Sequence, residues 1–190
     1  MNIAIKWISL VLLLFITGTG NSHAAEKRAV DFNLYNWDNK AVTLNDLKNN
    51  ITVLTFSYPY CSVRCPIVTA RLSSLDDVLK ASKDVVYLHV SVDPEMDTPE
   101  RRLNYFQLYG IDASKDRRWM FVSGKKEELA KVWKYYGIDI EKIKDDRIPE
   151  GYYIQYTPKV VIIGKDGLIK LETDFYLSEE EVAKTIKDLK

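Results

Sequence analysis

Two short runs constrain this chain more than any other feature: Ile51-Thr52-Val53-Leu54-Thr55-Phe56 and residues 85–92, Val-Val-Tyr-Leu-His-Val-Ser-Val. Both are rich in β-branched and aromatic residues, and the second is continuous enough to be buried on both faces of a sheet. Between them Val68, Leu72, Leu75 and Leu79 recur at spacings of four, three and four, which is one apolar face of a helix. The remaining residues extend this alternation. Residues 32–35 and Ala41-Val42-Thr43 flank the turn-forming Asn36-Trp37-Asp38-Asn39-Lys40 and predict an N-terminal β-hairpin. Thr98 and Pro99 open a second helix as N-cap and first helical residue, with Leu103 and Phe106 on its apolar stripe and Gly110 as its stop.

A short strand at residues 119–122 precedes a helix through Leu129, Val132, Trp133 and Tyr136, closed by Gly137. Residues 160–163 and 168–171 flank Lys165-Asp166-Gly167 as a hairpin on an Asp-Gly turn. Ser178 caps a last helix whose first turn holds Glu179, Glu180 and Glu181, where the helix dipole favours them. The order strand–helix–strand–helix–strand–helix–hairpin–helix predicts an α/β fold, a central mixed sheet flanked by helices.

Composition narrows the function. Lysine plus arginine is 27 and aspartate plus glutamate is 27, so there is no net charge to hold nucleic acid. Two cysteines and two histidines exclude zinc fingers, three-histidine zinc sites and multi-disulfide scaffolds. No repeat or Pro/Ser/Gly-rich linker divides the chain, which predicts one domain over residues 27–190. Residues 1–24 read as a signal peptide cleaved after Ala24 or Ala25: Lys6 is the positive start, Trp7 to Ile16 the apolar core, and Gly18 and Gly20 break it before small residues. A membrane span needs about 20 apolar residues, more than this run holds. The expectation is a periplasmic or otherwise extracytoplasmic protein without a membrane anchor, in which His89 is the remaining histidine.

The chemistry is expected where the first core strand ends, in Phe56-Ser57-Tyr58-Pro59-Tyr60-Cys61-Ser62-Val63-Arg64-Cys65-Pro66. Pro66 suits the first turn of the following helix, placing Cys65 at its N-cap and Cys61 in the loop ahead. Unpaired backbone N–H groups there favour a thiolate, and Arg64 adds positive charge. Four residues apart across a turn, the two sulfurs can close a disulfide or share one soft metal ion. A purely stabilising disulfide is the plain alternative, but so short a loop constrains the unfolded chain little.

The segment TFSYPYCSVRCP, followed by SVDPEMDTPE, resembles the Sco/SenC family of extracytoplasmic, thioredoxin-fold proteins that assist assembly of the copper site of cytochrome oxidase. The family's Cys-x-x-x-Cys-Pro falls on Cys61, Cys65 and Pro66, and its Asp-Pro-Glu-x-Asp-Thr loop on Asp93, Pro94, Glu95, Asp97 and Thr98. The same acidic stretch also reads simply as an Asp-Pro turn leading into a capped helix. The resemblance implies a thioredoxin-like fold and copper held by both cysteines and a histidine just before the last hairpin. In this chain Tyr156 takes that histidine's position, and a phenol titrating near 10 is a poor copper ligand at neutral pH. The low-ranking substitutes are His89, more naturally a packed core residue, and Met96, whose thioether suits Cu(I).

Thr157-Pro158 resembles the threonine–cis-proline segment of thioredoxins, which faces the cysteine pair and positions a substrate strand; a cis Thr157–Pro158 bond is expected. The expected activity is thiol–disulfide exchange, with Cys61 attacking a substrate disulfide, Cys65 resolving it, and Thr157 and Pro158 positioning the substrate. No cofactor is required for that chemistry. The partners expected are a protein disulfide or dithiol, by resemblance the copper-site cysteines of cytochrome oxidase, and an extracytoplasmic reductant. The rival expectation is a Cu(I) chaperone binding through Cys61 and Cys65. A peroxiredoxin-type peroxidase is not expected, because Tyr58 and Leu54 stand where that chemistry wants Thr or Ser and Pro ahead of Cys61.

Overall fold

The structure, a computed structural model, describes residues 27–80, 82–174, 176 and 178–190. The expected signal peptide, residues 1–24, lies outside them. Strands β1 (Asn33–Tyr35) and β2 (Ala41–Thr43) form the N-terminal hairpin, with Asn39 in the left-handed conformation at φ 58°. Then follow β3 (Ile51–Ser57), α1 (Arg64–Val78), β4 (Val85–Ser91), α2 (Pro99–Asn104), β5 (Trp119–Val122) and α3 (Lys126–Tyr136). A second ribbon, β6 (Ile140–Lys144) and β7 (Tyr152–Tyr156), precedes β8 (Lys159–Ile163), β9 (Ile169–Asp174) and α4 (Glu179–Asp188).

The central sheet has the order β5–β4–β3–β8–β9. β3, β4 and β5 are parallel, while β8 is antiparallel to β3 and β9 to β8, so the sheet is mixed as expected. Every residue of β3 and of β4 is buried, the signature of strands covered on both faces. On one face Phe56 packs against Tyr136 of α3, with ring centroids 5.9 Å apart. On the other, Ser57 and His89 meet Tyr105, whose hydroxyl bonds Thr69 of α1 at 2.8 Å. The apolar positions spaced along α1 are all buried: Val68, Leu72, Leu75 and Leu79. Each such side chain contributes roughly 1.5–3 kcal/mol by leaving water.

Three local expectations are revised. Helix α1 begins at Arg64 with Val63 as N-cap, so Cys65 lies inside the first turn rather than at the cap. The helix opened by Thr98 tightens after Asn104 into a 3-10 segment, Tyr105–Tyr109, before Gly110 ends it at φ 73°. That change of winding turns Tyr105 and Phe106 into the core beside His89. The β6–β7 ribbon was not anticipated, because β6 is half-exposed and charged and its pairing is confined to two strands.

Arg118, just before β5, fastens the sheet to α1. Its Nη1 and Nη2 donate to Asp76 at 2.6 and 2.8 Å, and Nη2 also reaches Asp116 at 2.6 Å. Asp76 accepts a further bond from Tyr87 of β4. Arg118→Ala should therefore cost about 3 kcal/mol in chemical denaturation, since it leaves a largely buried carboxylate without its counter-charge. A loss under about 1 kcal/mol, the range of an exposed pair, would contradict this.

Candidate functional site

The cysteines sit at the carboxyl edge of the sheet, where β3 gives way to α1. The turn is set by the Cys61 amide donating to the Tyr58 carbonyl at 3.1 Å. Cys61 and Cys65 form a disulfide with Cα atoms 5.7 Å apart. The Cys65 N–H donates to Cys61 Sγ at 3.1 Å, so Cys61 takes up one of the orphan donors at the helix start. Cys65 is fully buried, whereas Cys61 is half-buried and lines a cleft of 560 Å³. The cleft's other walls are Tyr58 and Tyr60 from the loop and Ile148, Tyr152, Tyr153 and Ile154 from the β6–β7 ribbon. An incoming group therefore meets the Cys61 sulfur first.

Tyr156, at the end of β7, reaches the other sulfur. Its hydroxyl lies 3.1 Å from Cys65 Sγ and donates to the Phe56 carbonyl at 2.9 Å. Arg64 Nη1 donates to the Tyr156 carbonyl at 3.1 Å, and the Tyr58 ring meets the Tyr156 ring edge-on at 6.3 Å. Burial pushes the Tyr156 phenol above its ordinary value, with the neighbouring Tyr58 adding to the shift. The phenol keeps its proton and acts as a hydrogen-bonding group. Tyr156 stands where the family keeps a histidine, and its contact with Cys65 is not legible from the chain alone. The inward alternation of Tyr152, Ile154 and Tyr156 was the available signal.

The acidic loop follows β4 and touches the ribbon through Asp93 and Glu95. Asp93 is buried and accepts from Tyr152 at 2.9 Å, so it holds a wall of the cleft rather than facing the sulfurs. Thr98 caps α2 by accepting from the Arg101 N–H at 3.2 Å, as expected. Met96 is half-buried and does not line the cleft, so no contact joins it to the cysteines as a third ligand.

His89 is a core residue. It is fully buried among Tyr105, Phe106, Trp119 and Phe121, with Nδ1 3.0 Å from Ser57 Oγ and Nε2 unpartnered. Burial lowers its pKa to about 3, which keeps the ring neutral. Thr157 closes the ribbon, donating from N to the Asp139 carbonyl at 3.1 Å and accepting from the Asp139 N–H at 3.3 Å. The expected cis Thr157–Pro158 bond is trans. Trans is the lower-energy isomer of an X–Pro bond, by about 0.5–1 kcal/mol. Neither Thr157 nor Pro158 lines the cleft at Cys61; Tyr156 occupies the position facing the pair.

Asp97 belongs to the same acidic loop. It is buried, and burial raises its pKa to about 7, a shift that the nearby Ser91 hydroxyl only partly offsets. Arg102 is near but spends its Nη atoms on the carbonyls of Asp97 and Asn36. Between pH about 4 and 7 the folded protein thus holds a proton that the unfolded chain releases, and stability falls as pH rises through that window. Asp97→Asn should remove this slope, a difference of up to about 4 kcal/mol between pH 4 and 8. Equal pH dependence of wild type and variant in urea unfolding would refute it.

The chain is 24% identical to the SCO1 protein homolog of Bacillus subtilis (strain 168), over 93% of this chain and 95% of that one. It superposes on the structure of Bradyrhizobium japonicum ScoI with copper bound at TM-score 0.68, with 26% identity over 86% of this chain and 99% of that one. It also superposes on BsSco, a Sco-family cytochrome c oxidase assembly protein in which a disulfide switch was identified, at TM-score 0.69 and 24% identity, covering 87% and 94%. These neighbours have the thioredoxin-like fold, and the mixed sheet flanked by helices described above is that architecture. Residues 20–190 match the SCO1/SenC family, and the chain belongs to it.

Proposed function

We propose that this chain is an extracytoplasmic thiol–disulfide oxidoreductase acting in assembly of the copper site of cytochrome oxidase, with Cys61 and Cys65 as its redox pair. The observation that supports this reading best is the asymmetry of the pair. One sulfur opens on an apolar cleft and accepts a helix-start amide, while the other is buried directly behind it.

In the reduced protein the Cys61 thiolate, stabilised by the Cys65 N–H, attacks a substrate disulfide. One substrate sulfur leaves as a thiolate and a mixed disulfide to Cys61 forms. The Cys65 thiolate then attacks Cys61 Sγ, the second substrate sulfur leaves, and the protein ends as the Cys61–Cys65 disulfide while the substrate gains two electrons. An extracytoplasmic dithiol reductant regenerates the pair. The cleft walls Tyr153 and Ile154 take the positioning role first expected of Thr157 and Pro158. By family membership, the substrate is the cysteine pair of an oxidase copper site. A Cys65→Ser variant should trap mixed disulfides, and mass spectrometry should find the adducts on Cys61; their absence would sink the proposal.

The copper-bound relative favours a second reading, in which reduced Cys61 and Cys65 carry Cu(I) as cargo. Among the described residues the donor set fits two soft sulfurs, since Tyr156 retains its proton, His89 is enclosed in the core and Met96 lies off the cleft. Anaerobic titration distinguishes the two. We expect no intense Cu(II)–thiolate absorption from the wild-type protein, and its appearance after Tyr156→His. One tightly held Cu(I), lost when both cysteines are changed, would put the chaperone reading first.

A further inference from the structure

We propose that Tyr156 is a catalytic residue of the exchange reaction: its hydroxyl passes its hydrogen bond from the Phe56 carbonyl to the Cys65 sulfur when that sulfur leaves as a thiolate. This inference rests on the thiol–disulfide reading above.

A phenol has one proton to donate and two acceptors lie within reach here, Phe56 O at 2.9 Å and Cys65 Sγ at 3.1 Å. In the disulfide the sulfur is a weak acceptor, so the carbonyl receives the bond. When a reductant thiolate attacks Cys61, a new S–S bond forms there, the Cys61–Cys65 bond breaks, and its electron pair goes to Cys65 Sγ. That charge appears in a buried place, and the strongest donor beside it is the phenol. Only rotation about the phenolic C–O bond is needed, because the ring is already fixed. The Arg64 guanidinium holds the Tyr156 backbone, the Tyr58 ring packs against its ring, and the residue is 5% exposed, so little water competes.

The two sulfurs thereby have separate donors, the Cys65 amide for Cys61 and the Tyr156 phenol for Cys65. A better-stabilised leaving thiolate departs faster, so the arrangement directs attack to the cleft-facing sulfur. If the Cys65 sulfur is instead protonated, its S–H can donate to the phenol oxygen while the phenol still serves Phe56. Both reduced forms are then satisfied without moving a heavy atom.

The test is the rate at which dithiothreitol reduces the oxidised protein, followed by stopped flow. Tyr156→Phe should slow it about tenfold, the value of one hydrogen bond to a charged group. A contact that merely held the site together would, once lost, leave the rate unchanged or raise it, and either result overturns the inference. Site-specific 3-fluorotyrosine at position 156 keeps the shape and is a stronger donor. It should speed reduction, and an equal or lower rate would also overturn the role. Failure of the Cys65→Ser variant to trap adducts on Cys61 would defeat the exchange reading itself. Normal trapping with an unchanged Tyr156→Phe rate would remove only Tyr156.

Discussion

The site depends on how β3 is paired. This strand is wholly buried, parallel to β4 on one side and antiparallel to β8 on the other. Parallel pairing brings the ends of β3 and β4 to the same edge, so the cysteine turn and the Asp93–Asp97 loop start side by side. Antiparallel pairing brings the start of β8 there too, with Val160 opposite Thr55. Residues just before β8 are thereby delivered to the end of β3. Tyr156 meets Cys65 for this reason, although 91 residues separate them.

Side-chain hydrogen bonds then lock three loops that backbone pairing alone would leave loose. Arg64 and Tyr58 tie the cysteine turn to the β6–β7 ribbon, the first to the Tyr156 carbonyl and the second through the Ile154 N–H at 3.3 Å. Tyr152 ties the same ribbon to Asp93. Arg102 joins the Asp97 carbonyl to that of Asn36 in the N-terminal hairpin. These bonds lie in poorly hydrated surroundings, where satisfied polar groups specify one arrangement and unsatisfied ones are costly. Asp97 and His89 are both deeply enclosed, and burial shifts each toward its neutral form.

Where periodicity was strong, local reading and tertiary structure agree. Val68, Leu72, Leu75 and Leu79 form the buried face of α1, and Gly137 ends α3 in the left-handed conformation at φ 65°. Thr98 and Ser178 cap the helices they were expected to cap. Disagreement falls where neighbours outweigh local preference. Pro66 suits the first position of a helix, yet α1 starts at Arg64, where that side chain can reach β7 and Cys61 can accept the Cys65 amide. Pro158 follows a threonine that closes the ribbon on Asp139, and that bond takes the trans isomer.

Legible in the chain alone are the alternation of strands and helices, the two cysteines at a strand-to-helix junction, and the lack of a histidine where the family keeps one. These are local matters of residue type, spacing and capping. Long-range packing sets which cysteine faces the cleft, encloses His89 in aromatic rings, and stands a phenol on Cys65. Each of these depends on strand order and direction, which bring distant residues together and are not encoded in any short window of the chain.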